Sequence, residues 1–270
     1  MPSFFKMIFK ALSYFVIGYV ALLLMVFILQ RKMLYYPDGS RLSETYAQKA
    51  GLRSWPSVEN YRGYIGQNDA EEFKGTVIVF HGNAGAAYHR GYYVEALSRL
   101  GLRVILAEYP GYGGRDGNPN ETVLVDDALE TIQLAHGEYG GPLYLLGESL
   151  GAGVAAAAVK KSKISIKGVV LLTPWDSLPS VAQTHYWYFP TRYLVREQYN
   201  SIANLQGYQG NVAVILAGND KIVPVKHGQN LYDSIATPKK LWRFEKAGHN
   251  TMPIEPLLPW WKEVVGFISK

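Results

Sequence analysis

A lone serine sits between two glycines in Gly147-Glu148-Ser149-Leu150-Gly151, a G-x-S-x-G pattern. A serine hydroxyl is a weak nucleophile until a neighbouring base takes its proton. The pattern therefore matters only if the chain also supplies that base and exposes the serine. Pro142 to Gly147, "PLYLLG", reads as a buried strand, and Leu150 to Lys160 reads as an alanine-rich helix. A sharp strand-to-helix turn of this kind lifts the hydroxyl out at the carboxyl edge of a sheet. Side chains two residues either side of the serine would collide there, which accounts for Gly147 and Gly151.

Six histidines compete for the role of base. His249, in "KAGHNTM", follows the last predicted strand and precedes the last predicted helix. His89, His136, His185 and His227 fall in predicted helices or in a long aromatic connection, where packing or surface roles are expected, and His81 belongs to a separate turn. A base needs a third group to hold its tautomer, and Asp220 in "AGNDKIVPV" leaves a predicted strand immediately. The resulting chain order, Ser149, Asp220, His249, is the one that an open α/β sheet with this serine turn uses. Asp176 after the preceding strand is the rival acid, and Asp220 is preferred by position and order. A small-residue turn, His81-Gly82-Asn83-Ala84-Gly85, can aim backbone N–H groups at a developing oxyanion, with the Leu150 N–H as the second donor.

These groups need a sheet to converge on. Apolar runs at Gly75–Phe80, Leu102–Tyr109, Pro142–Gly147, Gly168–Thr173, Asn211–Gly218 and Leu241–Glu245 read as strands, several apolar on both faces as buried parallel strands are. Helical patterns cover Tyr92–Leu100, Thr122–His136, Leu150–Lys160, His227–Ile235 and Pro256–Ile268, with Asn120 or Glu121 opening the second and Gly101 closing the first. Alternation of the two predicts an α/β sheet covered on both faces. One connection, about residues 174–208, is long and rich in Tyr, Trp and Pro. Its cluster Tyr186-Trp187-Tyr188-Phe189 predicts a lid or pocket wall.

Upstream, Ala11 to Gln30 is an uncharged stretch of 20 residues between Lys10 and Arg31. At about 1.5 Å per residue it spans one hydrocarbon core of roughly 30 Å. No polar face marks it as a core helix, and no small-residue exit marks it as a cleaved signal. An uncleaved anchor over residues 1–35 and a catalytic domain over 36–270 are therefore expected. The stretch from Tyr35 to Ser57 reads as a polar juxtamembrane connection. Lys6 and Lys10 stand on one side and Arg31, Lys32, Arg41 and Lys49 on the other, so charge does not orient the helix clearly; export of the catalytic domain is the favoured side. The chain of 270 residues is 48% hydrophobic, which excludes a disordered class. Its net charge of +5 is scattered, which argues against nucleic-acid binding. It contains no cysteine, so disulfides, a thiol nucleophile and thiolate metal sites are excluded.

With these residues in place, "HGNAG", "YPGYGGRDGNP", "GESLG", "GNDKIVP" and "KAGHN" resemble the α/β-hydrolase superfamily. Within it they are similar to a branch of membrane-anchored serine hydrolases, as is "YFPTRYLVREQYNSI" in the lid. The resemblance covers roughly Tyr35 to Lys270. It implies a mostly parallel eight-stranded sheet flanked by helices, a Ser149–Asp220–His249 triad, and backbone oxyanion donors at Asn83 and Leu150. Eukaryotic relatives of the pattern include protein depalmitoylases, which implies acyl-ester or acyl-thioester substrates. Those relatives carry a cysteine-rich N-terminus where this chain carries an apolar helix.

The expected activity is hydrolysis of carboxylic esters or thioesters through an acyl-enzyme, with no metal or organic cofactor. The expected partners are the bilayer and an apolar acyl ester or acylated protein. Two alternatives are a serine peptidase of the same fold, which would need a carboxylate pair such as Glu148 and Asp176 to hold a free amine, and a non-catalytic membrane-tethered scaffold. No role for Glu148 follows from the sequence.

Overall fold

The computed structural model describes residues 2–67 and 72–270. Among the described residues ten strands form: β1 Tyr36–Pro37, β2 Leu52–Trp55, β3 Gly63–Gly66, β4 Thr76–Phe80, β5 Ala84–Gly85, β6 Arg103–Ala107, β7 Leu143–Glu148, β8 Ile166–Leu172, β9 Asn211–Ala217 and β10 Lys239–Phe244. Eight of them make one sheet in the order β10-β9-β8-β7-β4-β6-β3-β2. Only the β2–β3 and β3–β6 pairings are antiparallel. The chain passes from β4 outward to β6 and then returns to β7 on the other side of β4. This reversal opens a crevice at the carboxyl ends of adjacent strands, where open α/β sheets bind ligands.

Both faces of the sheet are covered, so strands such as β4 are buried at every position. On one face Ile78, Phe80, Leu145 and Val214 pack beneath α4 Glu121–Tyr139, α5 Leu150–Lys161 and α9 Val225–Ser234. On the other, Val77, Val79, Leu146 and Ile215 pack beneath α3 Gly91–Ser98 and α10 Trp260–Ile268. The caps follow the sequence: Asn120 Oδ1 accepts from the Val123 N–H at 3.1 Å, and Gly101 ends α3 with a φ of +86°.

The six predicted strands and five predicted helices are present with ends shifted by no more than four residues. The polar connection is a correction, because part of it folds as α2 Glu44–Lys49 and strand β2. Strand β3 also went unpredicted. Its Gly63 has a φ of +136°, and a Cβ there would meet the Leu106 carbonyl oxygen and lie 2.9 Å from the Glu108 nitrogen. The close approach to β6 demands glycine, and glycine in a four-residue run reads as loop.

Helix α1, Pro2–Leu34, carries the one span among the described residues that is long and apolar enough to cross a membrane, Phe4–Leu34, with a mean hydropathy of 2.6 and none of that window buried. Beyond β8 the long connection folds into three short helices, α6 Leu178–His185, α7 Thr191–Leu194 and α8 Ser201–Leu205. It lies against α1. Arg31 Nε donates to the buried Glu197 Oε1 at 2.6 Å, and Gln30 Oε1 accepts from the Arg196 N–H at 2.8 Å.

Candidate active site

Ser149 joins β7 to α5 with a φ of +53° and a ψ of −111°, a backbone conformation that an L-residue adopts only under tertiary constraint. The constraint is visible. Its N–H donates to the Leu172 carbonyl of β8 at 2.9 Å, and its own carbonyl accepts from the Ala152 N–H at 2.9 Å. A Cβ on Gly147 would strike the Gly151 carbonyl oxygen and lie 2.6 Å from the Ala152 nitrogen. One on Gly151 would strike the Phe80 carbonyl oxygen and lie 2.7 Å from that of His81. Both glycines thus let α5 start directly against the ends of β7 and β4.

The loops leaving β9 and β10 bring two further side chains to Ser149. His249 Nε2 stands 2.9 Å from Ser149 Oγ, and His249 Nδ1 stands 2.7 Å from Asp220 Oδ2. The second oxygen of Asp220 accepts the Ile222 and Val223 N–H groups at 2.9 and 2.8 Å, which fixes the carboxylate in a turn. The His249 and Asp220 side chains are only 9% and 3% exposed, so the contacts are shielded from competing water. Asp176, the rival acid, is turned elsewhere: it pairs with His227 Nδ1 at 3.0 Å and accepts from Asn230 Nδ2 at 3.2 Å. Burial pushes its carboxyl up, but these hydrogen bonds and the Ser177 N–H outweigh burial and hold it below the ordinary carboxylate value.

Among the described residues the backbone N–H groups of Leu150 and Asn83 have no hydrogen-bond partner. Leu150 is the first residue of α5, so its N–H belongs to the positive end of that helix. The turn carrying Asn83 is braced from three directions. Buried His81 Nε2 lies 3.0 Å from buried Glu108 Oε1, and the Tyr109 and Tyr112 hydroxyls donate to the His81 and Asn83 carbonyls, each at 2.8 Å. The third brace comes from α1. Asn83 Nδ2 donates to the Leu34 carbonyl at 2.7 Å, the Tyr36 N–H donates to the Asn83 carbonyl at 2.9 Å, and β1 pairs with β5.

Ser149, His249 and Asn83 line a cavity of about 460 Å³, within the range of small-molecule sites. Its walls include Tyr36, Tyr92, Ile222, Met252 and Ile254. Tyr186, Trp187, Tyr188 and Phe189 do not line it, which corrects the expectation of a pocket wall. They stand beside α1 instead, with Trp187 77% exposed, because the α6–α7 turn extends outward along that helix. Sequence reading also missed Arg90. Its guanidinium donates to Glu148 at 2.8 Å, and the Tyr93 hydroxyl donates to the same carboxylate at 3.1 Å. Burial raises the Glu148 carboxyl, and Arg90 more than compensates, leaving it below its ordinary value. The pair lies against Gly82, since a Cβ there would be 3.2 Å from Glu148 Oε1. Glu108 had left a signal, a carboxylate closing an apolar strand run; Arg90 sits in a helical turn and left none.

A family model described as serine aminopeptidase, S33, matches residues 71–189. A Mycobacterium tuberculosis protein of uncharacterized function is 36% identical over 178 residues, covering 64% of this chain and 62% of that protein. Lysophosphatidylserine lipase ABHD12 of Danio rerio is 30% identical over 186 residues, covering 61% of this chain and 48% of the relative. The chain thus matches about half to three fifths of the length of these relatives. Among solved structures, Est1E from Butyrivibrio proteoclasticus with ferulic acid bound superposes with a TM-score of 0.65 at 19% identity, covering 77% of this chain and 95% of that one. The Pyrococcus furiosus esterase Pf2001 gives 0.62 at 18% identity, covering 86% and 95%. Their shared architecture is the α/β-hydrolase fold.

Proposed function

We propose, from the premise that this chain is a member of the α/β-hydrolase superfamily, that it is a membrane-anchored serine hydrolase cleaving carboxylic esters or thioesters of acyl chains. The observation that carries the reading is the unbroken relay from Ser149 Oγ through His249 to Asp220, at 2.9 and 2.7 Å. Ser149 Oγ attacks the acyl carbonyl as its proton passes to His249 Nε2. Asp220 holds the Nδ1–H tautomer and stabilises the imidazolium. The carbonyl oxygen, now negative, accepts from the Leu150 and Asn83 N–H groups; removing one such donor typically costs ~10²–10³ in turnover. Collapse of the intermediate expels the alcohol or thiol, which takes the proton from Nε2, and a water molecule repeats the sequence to free the acid.

The acyl preference is supported by the aromatic and aliphatic cavity wall and by the apolar helix α1, which we read as the anchor. The name of the lysophosphatidylserine lipase relatives points the same way, toward lipid esters. A peptidase that holds the free amine of its substrate would use a carboxylate pair. Here Glu148 is engaged by Arg90, and Asp176 is engaged by His227 outside the cavity.

The test is covalent labelling by a fluorophosphonate, together with hydrolysis of p-nitrophenyl acyl esters and of lysophospholipids, by wild type and Ser149→Ala. Loss of both in the variant is expected. Labelling and turnover that survive in Ser149→Ala refute the assignment.

A further inference from the structure

The aromatic turn between α6 and α7 is unoccupied by the catalytic cavity, and its side chains face outward. Trp187 and Tyr188, whose rings meet at 5.7 Å, and Tyr193 on α7 are 77%, 54% and 79% exposed. Its place along α1 gives it a meaning. Tyr19 touches the tip of the turn: its hydroxyl donates to the Tyr188 carbonyl at 3.3 Å and its ring lies 5.9 Å from that of Phe189. Nearer the domain, Gln30 Nε2 donates to the Leu194 carbonyl at 3.3 Å, and the Arg31–Glu197 pair locks the helix to the same segment.

We propose that this turn, Tyr186 to Tyr193, is a second membrane-inserting element, docked on α1 and seated in the acyl layer of the bilayer. The inference rests on the reading of α1 as an anchor. A hydrocarbon core of roughly 30 Å takes about 20 helical residues. Every stretch of that length within Phe4–Leu34 contains Tyr19. The shallowest placement, ending at Leu23, still sets Tyr19 about 6 Å inside the hydrocarbon. Whatever touches Tyr19 sits at the same depth, which is about 16 Å from the domain-side boundary when Ala11–Gln30 is the span. The residue types agree. Aromatic rings suit the acyl layer, and Arg192, the one charge in the turn, stands two residues before Leu194, which Gln30 meets at the boundary where a long cationic side chain can reach the lipid phosphates. With Ala11–Gln30 as the span, Gln30 and Arg31 fall at the domain-side boundary, where their polar contacts to Leu194, Arg196 and Glu197 belong.

The turn and the active site are joined. His185, immediately before the turn, contacts the Ile222 carbonyl through Nε2 at 2.8 Å, and Ile222 lines the cavity that holds Ser149. Tyr36, another cavity residue, lies two positions beyond the end of α1. An acyl chain leaving the bilayer beside this turn meets the cavity rim without crossing bulk water.

The chain contains no cysteine, so single-cysteine variants of the full protein can be labelled with a nitrobenzoxadiazole dye without background. Trp187→Cys reports the turn, Leu12→Cys the anchor, and Lys160→Cys, at the far end of α5, the aqueous side. In phosphatidylcholine vesicles carrying lipids spin-labelled at carbon 5 of the acyl chain, the dye at position 187 is expected to be quenched at least about threefold more than at 160, reflecting insertion into the acyl layer. Equal quenching at 187 and 160, with strong quenching at 12, overturns the proposal and leaves the anchor standing. No quenching at 12 or 187 removes both. A shielded dye at 187 that the spin-labelled lipid does not quench marks a protein contact, a second copy or another partner, and also overturns it.

Discussion

Replacing Gly151 with alanine adds one methyl group where β4 ends and α5 begins. The new Cβ would lie 2.7 Å from the His81 carbonyl oxygen and nearer still to that of Phe80, where ordinary contact begins at 3.4 Å. The obstacles are backbone atoms of a buried strand and cannot rotate aside. The start of α5 must therefore retreat by at least about 0.7 Å from the turn that carries Asn83. This displaces Ser149 and the Leu150 N–H together, and a misplacement approaching 1 Å costs on the order of 10² in rate. Overpacking of about 1–3 kcal/mol lowers the melting midpoint by about 2–12 °C in a chain of this size. The assay is kcat/KM on a p-nitrophenyl acyl ester and the rate of fluorophosphonate labelling in detergent, with the midpoint measured alongside. Gly137→Ala on α4 is the control, because a Cβ there meets nothing within 4 Å; it should be neutral or stabilising by up to about 1 kcal/mol. Wild-type rate and midpoint in Gly151→Ala would refute the argument that close backbone approach positions the serine.

Asp220→Asn keeps the shape of the turn but lets His249 adopt the wrong tautomer; kcat should fall by about 10⁴ with an unchanged circular dichroism spectrum. Glu148→Gln tests the Arg90 pair through pH. Burial raises the carboxyl, Arg90 overrides it, and the native value ends below the unfolded one, about 4.3. The pair's stabilisation is therefore complete above that pH and lost as pH falls through the depressed native value. The gap in melting midpoint between wild type and Glu148→Gln should be widest near pH 7 and close below about pH 4.

Much of the scaffold was readable because buried parallel strands are apolar on both faces. The runs that became β4, β6, β7, β8 and β9 announce themselves without knowledge of their neighbours. Ser149, His249 and Asp220 were readable for a related reason: each leaves a recognisable strand, so position along the chain stands in for position in space. What failed depends on contacts that sequence does not encode locally. Strand β3 begins at Gly63, which proximity to β6 demands, and ends at Gly66, which is pressed against Val94 of α3. Arg90 acquires meaning only when α3 folds back to Glu148. The aromatic turn was assigned to the pocket because its composition suits any apolar surroundings, and only the contact with Tyr19 shows which surroundings it has.

The joint between α1 and the Asn83 turn bears on how this protein should be prepared. A water-soluble fragment beginning at Tyr35 would strip the Asn83 amide of its acceptor on Leu34 and the buried Glu197 of its cationic partner. Such a fragment would carry a slackened Asn83 turn, and a weak turnover number measured on it would describe the truncation rather than the intact chain. Detergent or nanodisc preparations that keep residues 1–34 preserve the contact that holds the Asn83 turn in register.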